Sequence, residues 1–393
     1  MATTSKRVNV HECCGVAPLT AAGEAAEQSL PLTFFDVIWL YFHPIQRLLF
    51  YPSTYSTADF LEIIVPNLKK SLSQTLTNYL PLAGNLIHPM NSDMPEFRYV
   101  PGDSVSVTFA EASEDFDFDY LTGNQARDSD EFYAFAPDLP EPKTDSESGL
   151  KIIPVLAIQV TLFPGTGICI GIINHHSIGD ASSIVGFIKA WSRAAKLGEN
   201  QQLSAENQSL PFYDRSAIKD PSGRANIFWN QMRLFPLAST HLKLPTNRVR
   251  ATFILRKNDI QILKNLALAG EPAESGEEVD DDEPEYFGFA VDTRHRMESP
   301  IPATYFGNCV AFVLVESTHG YLEEGMGSPK FDLYDTDFGW GRPAKYESVS
   351  IDRDGSVSLC KSREFEGGLE IGVSLPRKKM EAFVAIFVDG LKT

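Results

Sequence analysis

His176 and Asp180 stand four positions apart in the segment Asn-His-His-Ser-Ile-Gly-Asp, residues 174–180. A neutral imidazole with an ordinary pKa of about 6.5 can take a proton from an alcohol at neutral pH. The alcohol oxygen would then attack a thioester carbonyl, and the imidazolium would return the proton to the departing thiolate. No nucleophilic side chain is needed, because the alcohol is itself the nucleophile. Asp180 has two readings: it orients the ring, as the acid of a triad does, or it serves the backbone at a helix start. A four-residue spacing arises easily by chance, and a buried histidine beside a helix cap fits the bare pair better. Metal binding fits worse still. Adjacent His175 and His176 point to different sides of an extended segment, no third ligand lies at zinc spacing, and no metal is expected.

The flanking pattern says what holds the pair. Residues 151–163 and 167–173 are apolar and β-branched, split by Pro164-Gly165-Thr166-Gly167, which predicts strand, turn and strand. From Ala181 the period changes, and Ile184, Val185, Phe187, Ile188, Trp191 and Ala195 share one helical face. Asp180 occupies the N-cap position of that helix. Upstream, Leu61, Ile64, Val65, Leu68, Leu72, Leu76 and Leu80 mark an amphipathic helix over 59–80, re-entering after Pro66 and ending at Pro81. Residues 197–222 are polar and aperiodic, as a surface crossover would be. The second half reads as a strand at 249–255, a helix at 259–267, an acidic loop at 271–285, strands near 286–291, 309–316, 347–351 and 369–374, and a helix at 377–387. The fold class is α/β with mixed sheets. The domains expected are 1–196, a crossover over 197–242, and 243–393.

With 393 residues the chain is long enough for two domains. A formal charge of −18, from 52 acids and 34 bases, disfavours nucleic acid and anionic membrane as partners. Five cysteines, 13, 14, 169, 309 and 360, form no disulfide or zinc spacing and read as free thiols in a reducing compartment. The apolar window 34–51 is interrupted by Asp36, His43, Pro44 and Arg47, so it cannot cross a bilayer. The first ten residues hold no apolar signal core. A cytoplasmic monomer acting on small molecules is expected. Against the acidic background, Lys243, Arg248, Arg250, Arg256, Lys257 and Lys264 face a single acid, Asp259, over 22 residues. Such a patch could seat phosphates, or it could be a solvated strand and helix edge.

The segment NHHSIGD, followed by DFGWG at 337–341, resembles the motif pair of the plant BAHD acyltransferases. LPLTFFD at 30–36, LPLAGNL at 80–86, LPFYDR at 210–215, VDTRHR at 291–296 and YFGNC at 305–309 extend the resemblance over residues 30–345. YFGNC is similar to the signature of the subgroup that acylates anthocyanins and other phenolic glycosides, commonly from malonyl-CoA. The resemblance implies two similar chloramphenicol-acetyltransferase-like domains with a solvent channel between them, and an acyl-CoA-dependent O-acyltransferase using malonyl-CoA as co-substrate, with no tightly bound cofactor. It implies that His176 is the catalytic base, and that Asp180 turns away from the substrate to pair with an arginine, the place matched by Arg294. It makes Asp337, Phe338, Gly339, Trp340 and Gly341 architectural, and sets Tyr305, Phe306, Gly307, Asn308 and Cys309 at the subgroup motif. Lys243, Arg248, Arg250, Arg256 and Lys257 become candidates to hold the coenzyme A phosphates, with Arg342 and Lys345 weaker ones.

Two family segments are absent, one after Leu268 and one after His319-Gly320. Three alternatives to malonyl transfer therefore stay open: hydroxycinnamoyl transfer, a coenzyme A-binding or regulatory protein on a shortened scaffold, and a thioesterase in which His176 activates water.

Overall fold

A computed structural model describes residues 8–19, 27–91, 93–198, 210–235, 244–269, 284–318, 332–354 and 356–391. Its centre is the pair of strands Leu156–Phe163 and Gly167–Asn174, which run antiparallel from Leu156 opposite Asn174 to Phe163 opposite Gly167. Every residue of both is buried, so the apolar run reflects a sheet covered on both faces. Gly165 takes the left-handed conformation the turn between them needs, with φ 74°. The sheet has six strands in the order Val8–Val16, Val105–Ala112, Leu156–Phe163, Gly167–Asn174, Ile45–Pro52 and Lys345–Ser348.

One face packs under the helices Val65–Leu76 and Ala181–Leu197, through Leu68, Leu72, Ile184, Phe187 and Trp191 against Ile168, Ile170 and Ile172. The other is filled by Phe116, Phe118, Phe132 and Phe135 around Phe50 and Cys169. The first of these helices differs in detail from the periodic reading. It begins as Thr57–Asp59, widens into a π turn at Phe60–Ile64, and continues as Val65–Leu76. Pro66 lacks the N–H that an unbroken α-helix would use, and the wider turn takes up that loss. The helix stops at Leu76, and Leu80–Ala83 forms a separate turn.

A five-stranded sheet (Gln28–Pro31, Glu96–Tyr99, Asn85–Pro89, Leu150–Pro154, Lys143–Asp145) completes the N-terminal half. In the C-terminal half, Ser358–Lys361, Leu369–Pro376 and Arg248–Leu255 pair in order, and Pro284–Asp292 pairs with Val310–Thr318. The halves exchange strands. Lys345–Ser348 adds to Ile45–Pro52 of the first sheet, and Arg127–Asp128 adds to Arg248–Leu255 of the second. A buried ion cluster sits at the exchange: Arg127 meets Glu347 at 2.7 Å, and Arg250 meets Glu347 at 3.1 Å and Asp352 at 3.3 Å. Charges this deep persist only when paired.

The strand expected at 347–351 is shifted: it ends at Ser348, and Ile351–Asp354 is helical. A helix, Arg224–Met232, follows the polar crossover and had no clear periodic signal. Most of the acidic stretch, residues 270–283, and residues 319–331 lie outside the described residues. No described helix is long and apolar enough to cross a membrane.

Candidate active site

The strand ending at Asn174 leads into a single 3₁₀ turn, His176–Ile178, and then into the helix Ala181–Leu197. Asp180 is its N-cap, accepting the backbone N–H of Ser183 at 3.2 Å. The two histidines have different surroundings. His175 is fully enclosed, its N–H donates to the carbonyl of Val155, and its Nδ1 lies 2.7 Å from the Ser177 hydroxyl. Burial, helped by His88, pushes His175 down to about 4. It belongs to the loop.

His176 keeps part of its surface accessible. Its ring stacks on the Trp39 indole, with centroids 3.9 Å apart and planes 9° apart, and the edge of Phe42 closes a second side at 5.5 Å. Nδ1 is buried without a hydrogen-bond partner of good geometry. Desolvation pushes His176 down to about 3; its own carbonyl pulls the other way, and the charge of Arg47 adds to the depression. The ring is therefore neutral at physiological pH and able to accept a proton.

Asp180 does not reach that ring through any of its hydrogen bonds. Its carboxylate receives Arg294 at 2.8 and 3.0 Å in a buried bidentate pair, and also the N–H of Cys309 at 3.0 Å. Arg294 donates further to the carbonyls of Tyr305 and Gly307. Asn308 completes the clasp. Its side-chain amide donates to the carbonyls of His176 and Ser177 at 3.1 and 3.0 Å and to Asp36 at 3.1 Å, while its backbone N–H donates to Asp36 at 2.9 Å. Thus residues 305–309 and Asp36 together hold the histidine loop. Gly307 is at φ 147°, and a Cβ there would lie 2.2 Å from Nη1 of Arg215. That nitrogen bonds the Tyr305 hydroxyl and the Phe306 carbonyl, so only glycine fits.

The 337–341 turn lies elsewhere. Asp337 accepts the N–H groups of Gly339 and Gly341 at 2.8 and 2.9 Å and pairs with Lys196 at 2.5 Å. Gly339 and Gly341 have φ 102° and 89°. Phe338 is buried against Trp191 and Tyr51, and Trp340 packs on Phe338 and Tyr51. The turn anchors the exchanged strand Lys345–Ser348 to the first sheet.

The basic patch separates once folded. Arg256 and Lys257 are exposed, with Arg256 lying over the Phe365 ring at 4.5 Å. Arg248 is half-buried and donates to Ser374. Arg250 is 1 % exposed and belongs to the internal ion cluster, which corrects its grouping with surface cations. Lys345 is buried too, held by Asn124 and Thr252 and pushed down to about 8 by desolvation, while Arg342 is exposed beside Asp335. Lys243 lies outside the described residues, as does the side chain of Lys264.

Asp36, Trp39, Phe42 and Arg47 escaped the reading of spacing. All four lie in or near the LPLTFFD motif, in an apolar window where Asp36 and Arg47 read only as interruptions. Arg47 is buried and donates to Asn174 at 2.6 Å.

This geometry, a clasped histidine between two strand-exchanging α/β halves, can be set beside known proteins. The Transferase family model matches residues 16–278, 272–326 and 325–389. An anthocyanin 5-O-glucoside malonyltransferase of Salvia splendens is 42% identical, covering 98% of this chain and 96% of its own length. Phenolic glucoside malonyltransferase 1 of Nicotiana tabacum is 41% identical, over 98% and 99%. Vinorine synthase shares the fold with TM-score 0.65 at 19% identity, covering 95% of this chain and 96% of that one. So does TRI101 of F. graminearum, complexed with coenzyme A and T-2 mycotoxin, with TM-score 0.64 at 15% identity, over 92% and 97%. The chain belongs to the Transferase family of BAHD acyltransferases. Within it, the chain aligns with the malonyltransferases of anthocyanin and phenolic glucosides. The Salvia alignment runs over 451 positions, more than this chain has residues, so that relative carries segments absent here. The family match is itself broken near 272–278 and 325, where the sequence reading placed the missing segments.

Proposed function

We propose that the protein transfers an acyl group, malonyl by preference, from acyl-coenzyme A to a sugar hydroxyl of a phenolic glycoside of the flavonoid or anthocyanin kind, with His176 as general base. The observation that carries this is a partly accessible, neutral imidazole locked between two aromatic rings. Because Nδ1 is buried, Nε2 is the nitrogen left for substrate. Nε2 takes the hydroxyl proton as the oxygen attacks the thioester carbonyl. The C–O bond forms, the carbonyl electron pair moves onto oxygen and returns, the C–S bond breaks, and the proton passes from Nε2 to the thiolate. Asp180 and Arg294 hold the loop and touch no reacting atom. The exposed Arg256 and Lys257, and to a smaller degree the half-buried Arg248, are the candidates to meet the coenzyme phosphates.

Thiol release from malonyl-CoA and from a hydroxycinnamoyl-CoA, assayed against a panel of flavonoid glucosides, tests donor and acceptor together. Glycoside-dependent release with malonyl-CoA is expected. Release without any acceptor would instead mark a thioesterase. The segments present in the Salvia relative and absent here favour one second reading, a coenzyme A-binding protein without turnover, for which binding without thiol release is the signature.

A further inference from the structure

Four arginines are buried among the described residues: Arg47, Arg127, Arg250 and Arg294. Three of them face carboxylates, Arg127 and Arg250 at Glu347 and Arg294 at Asp180, at 2.7, 3.1 and 2.8 Å. Arg47 has no carboxylate within ion-pair reach among the described residues, although a guanidinium buried without an anion is costly. Its polar neighbours are neutral: Nη1 donates to the Asn174 amide oxygen at 2.6 Å, and the Tyr346 hydroxyl lies beside it. None of its nitrogens is sealed from solvent without a partner, and the residue keeps 8% of its surface. The N–H groups that Asn174 leaves unused therefore stay reachable.

Its position is a second observation. Asn174 also donates to the His175 carbonyl at 3.0 Å, so two hydrogen bonds link the guanidinium to the peptide that leads into His176. The charge reaches the imidazole and adds to the depression of His176. Across the sheet Arg47 pairs with Ser348, and directly opposed residues of an antiparallel pair project from the same face. Ser348 lines a cavity of about 400 Å³ with Phe42, His43 and Ile45. Phe42 is the ring whose edge closes on His176 at 5.5 Å. One wall of the cavity thus belongs to the base, and another to the cross-strand neighbour of the unpaired cation.

We infer that Arg47 determines donor specificity, its guanidinium receiving the free carboxylate of a malonyl thioester, an inference that rests on the acyl-transfer reading above. A malonyl carboxylate is one methylene away from the thioester carbon. Its receptor must therefore sit close to the base and be a cation that the fold has not already neutralised. Arg294 is near the loop but is spent on Asp180; Arg47 alone of the buried arginines meets both conditions. The carboxylate supplies the anion that the chain withholds. An acetyl or hydroxycinnamoyl group brings none and leaves the guanidinium desolvated and unpaired, so the site itself discriminates against such donors. No bond to Arg47 forms or breaks during transfer; it only holds the end of the acyl group that does not react.

The test compares malonyl-CoA with acetyl-CoA as donors to one flavonoid glucoside, in wild type, Arg47→Met and Arg47→Lys. From the strength of hydrogen bonds to charged groups, the malonyl-over-acetyl ratio of kcat/KM is expected to fall about 10–100-fold in Arg47→Met. Arg47→Lys, which keeps the charge without the fork, should lie between, and it carries the comparison if circular dichroism shows the methionine variant unfolded. Losses from partial unfolding or from the changed field at His176 strike both donors alike and cancel in the ratio. A ratio within about twofold of wild type overturns the inference, whatever happens to turnover. So does a wild type that takes a donor without a free carboxylate as readily as malonyl-CoA. If wild type releases no thiol at all, the acyl-transfer reading fails by itself, and direct titration with the two thioesters decides this inference. Tighter binding of malonyl-CoA that Arg47→Met abolishes sustains it; equal or absent binding overturns it.

Discussion

Two family motifs meet polar chemistry in opposite ways. Around His176, the loop is held from outside by Arg294, Asn308 and Asp36, yet buried polar atoms there, the Trp39 indole N–H among them, find no hydrogen-bond partner of good geometry. At 337–341 the Asp337 carboxylate closes its own turn on Gly339 and Gly341, and its ion pair with Lys196 lies at the surface. A self-satisfied turn is architecture. A rigid loop with unmet donors and acceptors waits for something to complete it, because leaving buried polar groups unpaired costs free energy that packing alone does not return.

The contrast can be broken most severely at the ring itself. His176→Ala is expected to lower kcat about 10²–10⁴-fold, as loss of a general base does, while the variant still folds and binds acyl-CoA. Steady-state kinetics beside circular dichroism decide it; full transfer by the variant would sink the base assignment. Next is the clasp. Asp180→Ala leaves Arg294 buried without its bidentate partner and should destabilise by about 3–5 kcal/mol, read as a fall in the urea midpoint. If the variant loses activity but keeps its midpoint, Asp180 has a chemical role that its contacts do not reveal.

Gly307→Ala places a methyl 2.2 Å from Arg215 Nη1 and strains the backbone, so a loss of about 1–3 kcal/mol is expected. The pH dependence probes the same loop with a smaller effect. His176 and His175 are held below their ordinary value. The acid limb of kcat/KM should therefore lie below 6.5, because the base stays unprotonated further into acid. Stability runs in the same sense. Between the two folded values and 6.5 the unfolded chain binds more protons than the native one, so stability should fall as pH drops below about 6.5. Urea titrations from pH 8 to pH 5 should show this slope reduced in His175→Asn. The mildest change is at the other motif. Lys196→Ala removes an exposed ion pair and should cost no more than about 1 kcal/mol, leaving kcat unchanged. A large loss of turnover there would undo the division between the two motifs.

Local pattern carried much of the architecture. The change from strand to helical period around residues 174–181 places His176 at the junction and Asp180 at the cap, and the helix over Ala181–Leu197 follows that period. Failures came where neighbours in space are distant in sequence. Counting cations from 243 to 264 put Arg250 beside Arg256, but Arg250 lies in the buried middle of the strand Arg248–Leu255 and meets Glu347 and Asp352, whereas Arg256 lies past its end and is exposed. Likeness to a family, not spacing, pointed to Arg294. Trp39 read as one more apolar residue, since an indole in an apolar window does not disclose whether its N–H has found an acceptor.

The chain by itself determined its class of fold, the position of its histidine at a strand-to-helix junction, and its family, because those depend on short-range periodicity and on motifs with fixed spacing. Tertiary structure alone decided which of two adjacent histidines stays accessible, that Asn308 reaches Asp36 across 272 residues, and which buried atoms remain unpaired. Hydrogen bonding and desolvation depend on what packs within a few ångströms, and those neighbours come from distant parts of the chain.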